Sequence, residues 1–222
     1  LFQVRYALAL LLDNDHPDSQ ISIEKFDDVA FSNDGVPTQL IQLKHHIHRQ
    51  GSLTDASTDM WRTIKVWLDV ISESPDILNG TNFLIITTAR APVDSAAFLL
   101  KTDTNRNPTI AYEKLKAVCS SSTNRAHQEY YASFSGVSEN IAKQLIEQIY
   151  VIDRASNVVG IEKNILKQIR YSCAPKHQKM IYERLEGWWF KKAIDALCSD
   201  TPVFVNQNQV RDYIVAISHE YA

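Results

Sequence analysis

Glycine is scarce in this chain: 6 of 222 residues, none grouped into a run that could cradle a phosphate. A P-loop or a dinucleotide-binding turn needs closely spaced glycines, so both are excluded. No apolar run approaches the ~20 residues that span a bilayer, because "YALALLL" gives way at once to "DNDHPD". The three cysteines, Cys119, Cys173 and Cys198, are odd in number and far apart. That excludes a disulfide framework and a Cys-rich metal knuckle, and fits a reducing cytoplasm. A cationic excess is missing too: the net charge is −3 and the pI about 6.2. Charge alone therefore does not announce a nucleic-acid binder. Nor is there an initiator Met or a signal peptide, and Leu1 falls inside an apolar pattern, which reads as a fragment or a chain lacking its first residues.

The charge is unevenly distributed. Residues 1–110 hold 9 Lys/Arg against 14 Asp/Glu, whereas 111–222 hold 14 against 12. Within 163–192 eight cations, Lys176 and Lys179 among them, meet only Glu183 and Glu186. On a helical stretch this makes a candidate phosphate-attracting face, with a solvated helix surface as the plain alternative.

Periodicity orders the first ninety residues. A helix is expected over 1–12. "ISIEKFDDVAF" and "TQLIQLKHH" read as two strands joined through "SNDGVP", whose Asn-Asp-Gly marks a hairpin. Met60, Ile64, Trp67, Leu68 and Ile71 recur at helical spacing over about 57–72. "NFLIITTA" is apolar enough for a buried strand. Beyond it the chain turns mostly helical, with helices at 109–118, 139–149, 159–172, 175–199 and from Gln207 on, and "YVID" as a last strand. The expected class is α/β, a mixed-sheet core followed by a mostly helical half. The division is placed as 1–135 for the core and 136–222 for the helical region.

Side chains alternate along a strand. In the first strand Val29 and Phe31 share one face, and Asp28 and Ala30 the other. In the second strand Gln42 and Lys44 oppose Ile41 and Leu43. If the aliphatic faces align, Asp28, Gln42 and Lys44 gather on one surface. A carboxylate and an amide oxygen suit a hard cation such as Mg²⁺, with Mn²⁺ the alternative. The metal would activate water and neutralise phosphate charge, and a lysine beside it would steady the transition state. Glu24 and Asp27 are further candidate ligands. His45, His46 and His48 lack a second pair at zinc spacing, and His46 fits a DNA-facing role better. Trp61 and Trp67 read as core and flank of one helix. Of "GWW" at 187–189, at least one tryptophan should be buried.

Asp28 followed by "QLK" at 42–44, on a hairpin between helices, resembles the PD-(D/E)xK nuclease superfamily. The longer strings "FQVRYAL", "IEKFDDVAF", "IQLKHH" and "LTDASTDMWRTIKVW" are similar to the N-terminal nuclease domain of bacterial antiphage effectors. These are the CD-NTase-associated double-strand DNA endonucleases and the nucleases partnered with HerA-type ATPases. "YERLEGWW" resembles their helical part. The resemblance implies a restriction-endonuclease-like core that binds Mg²⁺ and cuts double-stranded DNA through Asp28, Gln42 and Lys44, with Glu24 as a fourth member. It implies a cytoplasmic bacterial protein, a homo-oligomer, and an attached ATPase or sensor. Two departures stand out: Phe26-Asp27-Asp28 replaces Pro-Asp, and Gln42 replaces the usual glutamate. The latter leaves one negative charge fewer at the metal. A catalytically degenerate module used for docking is therefore the alternative.

Overall fold

The computed structural model describes residues 2–15, 18–23, 29–33, 36–45, 51–199 and 203–221. It is a mixed α/β fold. The strands are β1 (Gln20–Ile23), β2 (Val29–Asn33), β3 (Val36–Lys44), β4 (Asn82–Thr87), β5 (Ile149–Ile152) and β6 (Phe204–Asn206). They form one sheet in the order β5-β4-β3-β2-β1-β6. The helices are α1 (Phe2–Leu12), α2 (Thr58–Glu73), α3 (Ala96–Leu99), α4 (Pro108–Ser121), α5 (Gln128–Gly136), α6 (Glu139–Gln148), α7 (Val158–Gln168), α8 (Gln178–Leu197) and α9 (Gln207–His219). The first ninety residues run helix, three strands, helix, strand.

Three expectations change here. The run 21–31 is two strands, not one: Ile23 and Val29 are register partners across the antiparallel β1–β2 pair. A third strand signal was missed downstream, because β6 is only three residues long and pairs antiparallel with β1. And Trp61 and Trp67 are both core, at 0% exposure. Six residues apart, they point to different sides of α2, and each side is covered. Trp61 meets Tyr131 and Phe134 of α5 edge-on, while Trp67 packs on Phe83 of β4 with ring centroids 5.2 Å apart.

The chain's contacts fall into two compact units, residues 1–38 with 156–222, and residues 39–155. In the first, α1 packs against α7 and α8. The Arg5 guanidinium donates to Glu186 through Nε, and Tyr182 donates to the same carboxylate oxygen at 2.9 Å. Trp189 is fully buried and its Nε1 donates to the Val4 carbonyl at 2.6 Å. The last carbonyls of a helix lack internal partners. At the end of α1 the buried Gln207 amide supplies them, donating to Leu11, Leu12 and Asn14 at 3.0–3.2 Å.

In the second unit β3, β4 and β5 are parallel. Helix α2 starts where expected: Ser57 is its N-cap and accepts from the Met60 N–H at 3.1 Å. Ser138 caps α6 in the same way.

Candidate functional site

The register of the parallel strands fixes which side chains share a face. Leu40, Gln42 and Lys44 stand beside Phe83, Ile85 and Thr87 of β4, and Ile85 stands beside Val151 of β5. Ile41 and Leu43 belong to the opposite face with Leu84 and Ile86. Since Trp67 rests on Phe83, the face that carries Gln42 is the one that α2 covers. Gln42 is accordingly 4% exposed, with Ile85 as its register neighbour, and Lys44 is half-buried at the strand's end. Gln42 and Lys44 share one face, as alternation implies, and α2 covers that face. The period of two is present, but helices close over it, and β2 is buried at Val29, Ala30, Phe31 and Ser32 alike.

Glu24, Asp27, Asp28 and His46 lie outside the described residues. Of the expected catalytic set, Gln42 and Lys44 are brought together, two residues apart on one face of β3. Lys176 and Lys179 belong to the other unit, Lys176 in the turn before α8 and Lys179 in its first turn, both exposed. Among the described residues no group of three or more His, Cys, Asp or Glu is placed to hold a metal. Among the described residues Gln42 is the candidate metal donor. Its amide oxygen is a hard ligand of the type Mg²⁺ takes.

Lys44 ends β3 at the carboxyl edge of the parallel strands, the edge where open α/β sheets place their ligands. That edge is stitched by backbone. The Thr88 N–H donates to the Lys44 carbonyl at 3.1 Å, and the Ala155 N–H to that of Thr87 at 2.9 Å. Residues 51–53 run beside Arg90, joined through Arg90 N–H to Gly51 and Leu53 N–H to Arg90, both at 2.9 Å. The Asp55 carboxylate accepts from the Ala96 N–H at 2.6 Å, and its carbonyl accepts from Trp61 Nε1 at 2.8 Å. Asp153, its side chain 7% exposed, accepts from the Ala91 N–H at 3.0 Å and pairs with Lys101 at 2.9 Å. Burial alone would raise its pKa, but the Lys101 ammonium and the Ala91 N–H outweigh that and hold it below the usual carboxylate range. Sequence reasoning passed over Thr87, Asp55 and Asp153. They reach this edge through the parallel register and long connections, which no local pattern displays.

No protein-family model matches the sequence, and a search of curated proteins found no match. No helix among the described residues is long and apolar enough to cross a membrane. Among solved structures, the fold is similar to that of the Moraxella osloensis Cap4 SAVED/CARF-domain-containing receptor. The match has 15% identity and a TM-score of 0.53, over 96% of this chain and 46% of that one. It is also similar to the Acinetobacter baumannii Cap4 SAVED/CARF-domain-containing receptor solved with the cyclic trinucleotide 2'3'3'-cAAA. That match has 14% identity and a TM-score of 0.52, over 99% of this chain and 44% of that one. At these identities the likeness is one of fold, and the chain spans less than half the length of either receptor.

Proposed function

We propose that the chain is a metal-dependent DNA endonuclease domain of a bacterial antiphage effector. The observation that carries the reading is the pair Gln42 and Lys44. They lie on one face at the end of β3, in a helix, three-strand, helix, strand arrangement. The Gln42 amide oxygen is a hard donor of the kind Mg²⁺ takes, and a lysine on the same face can meet the phosphate that the metal binds. The fold likeness to Cap4 receptors supports a place in the same kind of defence protein. Those receptors are more than twice as long, so ligand sensing is assigned to chain beyond this one and phosphodiester cutting to this part.

In this reading Asp28, Gln42 and Glu24, with Asp27 in reserve, hold Mg²⁺. The metal, when bound, supplies an activated water and neutralises phosphate charge. Lys44 holds the attacked phosphate and the attacking water in line. The second reading is a degenerate docking module, and the neutral Gln42 in place of a glutamate favours it. Plasmid DNA incubated with the chain in Mg²⁺, with and without chelator, separates the two. Cleavage that stops with chelator and is lost by at least a hundredfold in Lys44→Ala is expected. Folded Lys44→Ala protein that cuts at the wild-type rate removes the site assignment. Wild-type protein that never cuts leaves the docking module.

A further inference from the structure

The turn that joins α7 to α8 carries a large aromatic side chain that stands open to solvent. Tyr171 is 86% exposed, with the Arg170 guanidinium 4.5 Å from its ring centroid. One exposed aromatic is ordinary; its company is not. Lys167 and Lys176 are exposed and, among the described residues, have no ion-pair partner, while Lys179 has only Glu183 at 3.9 Å. The nearby Glu220 is already held by both terminal nitrogens of Arg184. Beside the turn lies a groove of about 540 Å³ between residues 172–176 and the end of α9. Cys173 and Val215 give it apolar lining, and Lys176 and His219 line it with polar groups. Tyr221, also lining it, stacks on His177 with ring centroids 5.3 Å apart.

We propose that this turn is a binding surface for unpaired nucleic acid, with Tyr171 stacking on a base and the surrounding lysines contacting phosphates. The inference rests on the reading of the chain as one that acts on DNA, and adds the strand state it engages. Phosphates alone would be met by the lysines; an open ring beside them adds a stacking surface that any unstacked base can use. In a duplex every interior base face is covered by its neighbours. A protruding tyrosine therefore reaches a base at a single-stranded tract or a frayed end. An acidic peptide matches the lysines but gives the ring and the groove no role. Trp188 is no substitute platform, because Tyr213 already stacks on it at 4.7 Å with planes 13° apart.

The test uses the full chain with Ca²⁺ replacing Mg²⁺, and fluorescence anisotropy with a labelled single strand of about 20 nucleotides and its blunt duplex. Tyr171→Ala is expected to weaken single-strand binding about tenfold, and duplex binding less than twofold. Tyr171→Phe, which keeps the ring, should bind both as wild type does. Unchanged single-strand affinity in Tyr171→Ala overturns the proposal. So does an equal loss on both probes, an equal loss in Tyr171→Phe, or a polyglutamate peptide that competes as well as the oligonucleotide. Wild-type chain that binds neither probe overturns it as well. The nuclease reading is judged apart from this, by plasmid cleavage and its dependence on Lys44.

Discussion

Arg106 and Asp153 are charged side chains that bond to backbone groups, and each ties distant segments together. The Arg106 guanidinium donates to the carbonyls of Leu100 and Ile149 at 2.9 Å and of Glu147 at 2.6 Å, and lies 4.0 Å from the Tyr150 ring centroid. A lysine cannot copy this planar fork. Arg106→Lys should therefore cost about 2–3 kcal/mol in urea unfolding, nearly as much as Arg106→Ala. A lysine variant within experimental error of wild type would show that charge alone suffices. Asp153 makes a pH prediction. Burial works against its charge, yet Lys101 and the Ala91 N–H depress its pKa. A depressed carboxylate stabilises the fold above its unfolded value, near 3.9, and loses that contribution as the pH falls through the folded value. Asp153→Asn should thus be less stable at pH 7 by about 1–3 kcal/mol. The gap should close below about pH 4, as the wild-type carboxylate protonates. Thermal melts across pH 3–7 check this, and a constant gap throughout would count against it.

At the scale of elements, α8 is anchored unevenly by its two adjacent tryptophans. Trp189 is fully buried and donates to the Val4 carbonyl of α1, whereas Trp188 is partly exposed against Tyr213 of α9. Trp189→Ala should cost about 3–5 kcal/mol, and Trp188→Ala clearly less. Equal costs in equilibrium unfolding would contradict the inequality. That one of this pair must be buried was legible, since neighbours on a helix face different ways. The amphipathic α2 was legible for the same kind of reason, as were the starts of α2 and α6. The break between β1 and β2 was not, because "ISIEKFDDVAF" has β composition throughout and only pairing reveals two strands. Four-residue α3 is too short to show a period, α5 follows the polar run "CSSSTNRAHQ", and three-residue β6 exists because β1 offers it an edge. At the candidate site, Gln42 and Lys44 could be placed on one face from alternation alone. The burial of Gln42 could not, because it depends on α2 crossing above the strand.

For the whole molecule the proposed function poses the problem of how an acidic chain would grip a polyanion. Residues 39–155 carry 12 Lys/Arg and 12 Asp/Glu, and the other unit 11 against 14, so neither attracts DNA by net charge. Attraction must come from local arrangement. Residues 163–192 have a surplus of six positive charges. Arg184 is held by Glu220, while Lys163, Lys167, Lys176 and Lys191 are exposed without ion-pair partners among the described residues. Each phosphate such a group neutralises releases a condensed counterion, which makes affinity fall with salt. Reversing charge at Lys176 and Lys179 together should remove two contacts. It should lower affinity at low salt and flatten the dependence of log affinity on log salt by about two units. Both residues are exposed, so the melting temperature should hold, and a shift there would void the comparison in favour of single reversals. Binding measured in Ca²⁺ from low to moderate salt decides the matter. If slope and affinity are unchanged, the basic stretch is a solvated helix face, and the grip on DNA belongs to another segment or another subunit.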